Sequence, residues 1–140
     1  MATPDFSDAL GQRVLKQLRS ETVVWLTTTS ADGTPQPRLV WFLWEDDTLL
    51  IYSQPGTAKL THIARNAHVS LNFNSDPAGD HMSVLTGTAT IDGSAPRALD
   101  HPAYLEKYRD GIAALNSSPE QFSDSYSVPV RVRVERIRGF

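Results

Sequence analysis

The sequence predicts a mainly β domain of the α+β class: six short antiparallel strands closed into a small barrel, with two or three flanking helices. Three observations carry this expectation. Segments rich in β-branched and aromatic residues recur between turn signals. The first three of them follow one another without a helix between them, which excludes a doubly wound nucleotide-binding sheet. Six short strands cannot all end in exposed edges, so closure into a barrel is the economical solution.

The elements are justified in order. Phe6, Leu10, Val14 and Leu18 recur every four residues, with Leu15 beside them, and predict an amphipathic helix. Asp5 or Ser7 is expected to cap it. Thr22 to Thr29 is a first strand, and Ser30-Ala31-Asp32-Gly33 is a hairpin turn, since Asp-Gly supplies positive φ readily. A second strand spans Pro35 to Trp44. Pro35 and Pro37 cannot donate to a ladder, so its beginning is expected at an edge or against a ligand. Trp41, Phe42 and Trp44 imply that both of its faces are shielded, one by the core and the other by a dimer partner or a flat aromatic cofactor. Thr48 to Ser53 is the third strand, and Thr57 to Asn66 a short helix with Thr57 as cap. Val69, Leu71 and Phe73 mark a fourth strand from His68 to Asn74. Met82 to Ile91 is a fifth, interrupted at Gly87 by a bulge or tight bend. A helix from Pro96 to Gly111 is divided by Pro102. Ser118-Pro119-Glu120 starts another. The last strand alternates Val128, Val130, Val132 and Val134, then slips phase to Ile137, which predicts a bulge near Glu135-Arg136.

Composition narrows the function. The 140 residues hold 13 Lys+Arg and 16 Asp+Glu, for a net charge of -3. That suits a single domain over residues 1–140 and argues against a general nucleic-acid binder. With no cysteine, thiolate chemistry and disulfides are excluded. The longest apolar run, Leu39 to Trp44, is too short for a membrane span, and Asp5 and Asp8 stand where a signal peptide carries basic residues. A soluble cytoplasmic protein is expected. No phosphate-binding glycine motif and no serine-nucleophile elbow occurs. The four histidines, His62, His68, His81 and His101, lack metal-ligand spacing, so no metal site is expected.

Lys59 follows Ser53, Gln54 and Thr57 at the predicted start of a helix. Free N–H groups, a lysine and hydroxyls there suit a phosphate, although a solvated lysine satisfies the same pattern. Arg131, Arg133, Arg136 and Arg138 form either the wet face of a strand or a patch for a polyanionic tail.

Three segments in order, GTPQPRLVWF (33–42), LLIYSQPGTAKLTHIARNAHVSLNF (49–73) and LTGTATI (85–91), resemble the pyridoxamine 5′-phosphate oxidase-like split β-barrel family. The likeness is greatest to its actinobacterial branch that uses the deazaflavin F420. The resemblance implies an FMN-binding split-barrel type of fold and a homodimer with two cofactor sites at its interface. It places Gln36, Pro37, Arg38, Leu39 and Val40 along the ring system, and Tyr52, Ser53, Thr57 and Lys59 at the phosphate. Asp80 to Met82 would approach the ring from the other subunit, and the C-terminal arginines the poly-glutamate tail. The implied activity is hydride transfer between reduced F420 and a small electron-poor acceptor such as a quinone, an enone or a tetrapyrrole. FMN is the alternative cofactor. A non-catalytic cofactor carrier or a haem-binding module, with one of the four histidines as ligand, is the alternative role. Two positions depart from the family pattern. Ala67 replaces a proline after Arg65-Asn66, and Thr57 stands where many relatives place an arginine near the phosphate, removing a charge-assisted contact. The substrate-phosphate ligands of the biosynthetic pyridoxamine phosphate oxidases have no counterpart near the C-terminus, so that activity is not expected.

Overall fold

The computed structural model describes residues 4–140, so the first three positions of the predicted domain and of its N-terminal stretch lie outside the described residues. The chain runs α1 (Ala9–Ser20), β1 (Val24–Thr29), β2 (Pro35–Val40), β3 (Leu43–Glu45), β4 (Thr48–Ser53), α2 (Ala58–Arg65), β5 (His68–Asn72), β6 (Ser83–Ile91), a 3-10 turn at Ala98–Asp100, α3 (Pro102–Ala114), α4 (Pro119–Ser125) and β7 (Val128–Gly139). The seven strands form one curled antiparallel sheet in the order β2-β1-β5-β6-β7-β4-β3.

The split-barrel architecture implied by the resemblance is found, with two corrections to the sheet. There are seven strands rather than six, and the barrel is open, because β2 and β3 end the sheet without pairing to each other. The physical cause is a switch at Trp41-Phe42, inside the predicted second strand. The Phe42 N–H donates to the Tyr108 hydroxyl at 2.8 Å, and its carbonyl accepts from Lys107 Nζ at 2.7 Å. Side chains of α3 thus replace the ladder bonds that a continuous strand would have made. The α1 cap is also corrected: Asp8 accepts from the Gly11 N–H at 2.7 Å, while Asp5 binds Ser7 in the preceding turn.

The local patterns that depend on alternation are found as read. The ladder between β6 and β7 shifts register between Thr86 and Gly87, leaving Glu135 bulged. At Gly87 an added Cβ would overlap the Arg133 carbonyl, so only glycine fits the bulge. Pro102 starts α3 after the 3-10 turn, and Ser118 closes a capping box with Gln121 at the start of α4.

The sheet separates two apolar cores. Val14, Leu18, Val24, Leu26, Leu49 and Ile51, with Phe42, Leu71, Leu85 and Val132, fill the barrel beneath α1. Leu50, Tyr52, Tyr104, Tyr108, Ile112 and Phe122 form a second core between β4 and the α3–α4 layer. Alternate residues of β4 serve opposite cores, which is why its run from Leu49 to Ser53 is buried throughout.

Candidate functional site

The site begins with β2. Its residues from Pro35 to Leu39 are exposed, because β2 pairs only with β1 and nothing covers its outer side within one chain. At its end the chain turns out of the sheet, and neighbouring side chains part. Phe42 enters the barrel core, whereas Trp41 stacks on Tyr108 (ring centroids 4.5 Å apart, planes 4° apart) and on Phe122 at 5.5 Å. The second shield expected over this strand is therefore supplied at Trp41 by the chain's own helices. Phe122 continues the stack onto Tyr126 at 4.5 Å.

A cleft of about 360 Å³ lies between this aromatic layer, β2 and the end of β4. Arg38, Leu39 and Val40 form one side; Tyr52, Gln54, Thr57 and Lys59 form another; Tyr104, Phe122 and Tyr126 form the wall. Of the residues expected at the site, Arg38, Leu39, Val40, Tyr52, Thr57 and Lys59 meet here. Ser53 lies directly behind them: it is buried and its hydroxyl faces that of Thr57 at 3.2 Å. Gln36 lines an adjoining groove, and Pro37 stands between it and Arg38 on the strand. Met82 is not part of the cleft in one chain. It precedes β6, which β5 and β1 separate from β2 in the sheet.

The cationic end has the composition of an anion site. Lys59 is half-buried, and burial, with the Arg38 guanidinium nearby, pushes its ammonium below the usual lysine value. Among the described residues no carboxylate forms an ion pair with either side chain. Thr57 is the N-cap of α2 but makes no side-chain capping bond, so the Ala58 and Lys59 N–H groups keep their donor capacity while that of Leu60 binds the Thr57 carbonyl at 3.2 Å. Two uncompensated cations at a helix start are electrostatically unfavourable until an anion arrives. Tyr52 has a different part from the one expected. Its hydroxyl donates to the Pro96 carbonyl at 2.6 Å, and burial pushes it up to about 12, so the ring walls the cleft while the proton is committed elsewhere.

The C-terminal arginines do not act as one patch. Arg131 is held between Glu45 at 2.8 Å and Asp92 at 3.2 Å; Arg133 pairs with Glu135; Arg136 and Arg138 lie along a shallow surface near α1. The histidines are dispersed as well. His62 meets the Thr28 hydroxyl at 2.9 Å, His101 bridges Glu45 and the start of α3, and His81 is exposed near Asp76. Among the described residues no group of three His, Asp or Glu side chains is placed to hold a metal ion. No helix among them is long and apolar enough to cross a membrane.

The wall residues Tyr104, Phe122 and Tyr126 escaped the sequence reading. Their segments carry no period that points toward β2, and residues 113–125 were legible only as a helix start. The available signal was the recurrence of Tyr104, Tyr108 and Ile112 every four residues, which marks a buried stripe on α3 without naming what it packs against.

An open antiparallel sheet whose edge strand borders a cleft lined by Arg38, Lys59 and aromatic rings has the architecture of a split-barrel domain. The chain matches the family described as pyridoxamine 5′-phosphate oxidase over residues 10–139, and it belongs to that family. No curated protein sequence matches it. Among solved structures it resembles an F420 reductase at 22% identity, covering 88% of this chain and 94% of that one with a TM-score of 0.63. It also resembles an FAD-binding protein of Mesorhizobium loti at 20% identity (93% and 91% covered, TM-score 0.67). The heme storage protein HutZ of Vibrio cholerae is similar at 12% identity (90% and 92% covered, TM-score 0.61). At these identities the likeness establishes the fold alone.

Proposed function

We propose that the chain is an oxidoreductase that binds the deazaflavin F420 in this cleft as a homodimer and serves hydride transfer to a small electron-poor acceptor. The observation that carries the reading is the cleft itself: an uncompensated Lys59–Arg38 pair at one end, an aromatic wall at the other, and an exposed edge strand between them. A flat ring joined to a phosphate needs those three surfaces in that order. Lys59, Arg38 and the Thr57 hydroxyl hold the phosphate, with Ser53 orienting Thr57 from behind. Arg38 supplies from β2 the second positive charge that Thr57 does not. Leu39 and Val40, following Arg38, offer the edge along which the ring lies, while Gln36 stands on the other side of the cation pair, in the adjoining groove. Reduced F420 supplies the hydride, and acceptors of the quinone, enone or tetrapyrrole type suit it. Tyr52 serves as a wall and not as a proton donor. The open side of β2, with Leu39 50% exposed, supports a second copy of the chain as the missing cover, with its residues 80–82 approaching the ring.

The test is a fluorescence titration of the purified protein and its Lys59→Met variant with F420 and, separately, FMN, together with the mass in solution. Saturable F420 binding tighter than FMN is expected, weakened at least tenfold in the variant. The variant keeps its fold, and its melting temperature is equal or higher, because the buried ammonium is a cost in the unliganded protein at neutral pH. A mass of twice 15.5 kDa is expected. Unchanged affinity in the variant overturns the phosphate role. Tighter FMN binding moves the protein to the flavin reading. Binding of neither, or a haem absorption band in its place, refutes the proposal.

A further inference from the structure

Behind the phosphate end of the cleft lies a second groove, of about 380 Å³, lined by Thr28, Gln36, Arg38, Ala58, Lys59 and His62. Arg38 and Lys59 line both spaces, so the two meet at the cation pair. The spaces differ in chemistry. The first is walled by aromatic rings, whereas the second presents a carboxamide, a hydroxyl and an imidazole. Thr28 is 1% exposed and its Oγ1 holds His62 Nδ1 at 2.9 Å, which fixes the ring and leaves Nε2 for a ligand. Gln36 stands exposed on the edge strand with its amide free to swing over the groove.

We infer that this groove receives a polar arm carried on the far side of the cofactor's phosphate, so that the protein selects a phosphate substituted on both sides over a terminal monoester. The inference rests on the cofactor reading above. An anion centred between Lys59 and Arg38 turns one ester oxygen toward the aromatic cleft and the opposite oxygen toward Gln36 and His62. A monoester ends at that point and leaves the groove to water. A substituted phosphate continues into it and exchanges water for the Gln36 amide and the His62 ring nitrogen, both able to bond carboxylate, amide or hydroxyl groups. Gln36 and His62 are thereby specificity-determining residues, while Lys59 and Arg38 serve any phosphate alike.

The experiment is a binding titration of the intact protein with ligand pairs that share a ring and differ beyond the phosphate: F420 against the same deazaflavin truncated to its 5′-phosphate, and FAD against FMN. In each pair that binds, the parent protein should prefer the extended member at least tenfold. Gln36→Ala, an exposed substitution that leaves the fold intact, and His62→Ala should each reduce that preference to threefold or less while moving the affinity of the truncated member less than twofold. The pair showing the larger preference identifies the arm, a glutamyl tail or a nucleotide. Equal affinity within both pairs in the parent protein overturns the inference and leaves the cofactor reading standing. So does an equal loss for both members in the variants, which marks the groove as part of the general phosphate site. Failure of all four ligands to bind refutes the cofactor reading and this inference with it.

Discussion

Tyr108→Phe tests what keeps the barrel split. Tyr108 is 3% exposed, and its hydroxyl accepts from the buried Phe42 N–H at 2.8 Å while lying 2.7 Å from the Thr22 carbonyl and 2.9 Å from that of Phe42. Removing one oxygen has unequal consequences for these three groups. The Phe42 carbonyl keeps Lys107 Nζ at 2.7 Å, and Thr22 is exposed enough for water to replace the bond. The Phe42 N–H is left in an apolar core with no acceptor, and an unsatisfied buried donor costs about 1–3 kcal/mol. For a domain of this length that is a fall of roughly 4–12 °C in melting temperature, at about 4 °C per kcal/mol. The assay is thermal and urea unfolding of the variant beside Tyr104→Phe. Tyr104 is a matched control: it is fully buried in the same cluster, with its ring edge-on to Tyr52 at 4.8 Å, and among the described residues its hydroxyl has no hydrogen-bond partner. It should stay within about 0.5 kcal/mol of the parent. The reasoning is refuted if both variants stay within that limit, because the turn at Trp41-Phe42 would then owe nothing to the Tyr108 hydroxyl. A real effect also has a functional edge, since the same turn sends Trp41 onto Tyr108 and Phe122 to build the cleft wall.

Two further outcomes are expected. Gly87→Ala sets a Cβ against the Arg133 carbonyl at the bulge, so urea unfolding should show a loss of about 1–3 kcal/mol or more, and a neutral result would remove the steric reason for that glycine. Stability should also fall with acid through the ion-pair network of Glu45, Arg131, Asp92 and His101. Burial raises the Glu45 carboxyl, but hydrogen bonds from Arg131 and His101 outweigh it and hold the group below its ordinary 4.5. Ser94, joined by Arg131, holds Asp92 below 3.8. Folded values below unfolded ones mean stabilisation that is present above the unfolded values and lost as pH falls through the folded ones. Glu45→Gln should therefore lower the melting temperature at neutral pH and shrink its further drop between pH 5 and pH 3; an undiminished drop would assign acid sensitivity to other groups.

What the sequence by itself determined is whatever a few neighbouring residues specify. Alternation placed β5 and β7, the phase slip after Val134 located the bulge at Glu135, Asp32-Gly33 marked the first hairpin, and Ser118-Pro119 marked the start of α4. Lys59 stood out for the same reason, since a lysine just inside a helix start is a local pattern. The tertiary structure alone decided everything that depends on distant partners. Nothing within residues 35–44 shows that the chain leaves the sheet at Trp41, because the groups that stabilise the break, Tyr108 and Lys107, lie on α3. The pairing of Lys59 with Arg38 joins α2 to an edge strand, and the aromatic wall joins that strand to α3 and α4. Arg131, read as one of four equivalent arginines, is withdrawn by Glu45 from β3 and by Asp92 from the turn after β6. Hydrogen-bonding capacity and side-chain periodicity are properties of the local chain. Burial, compensation of charge and the shape of a cleft are properties of what the fold brings beside it.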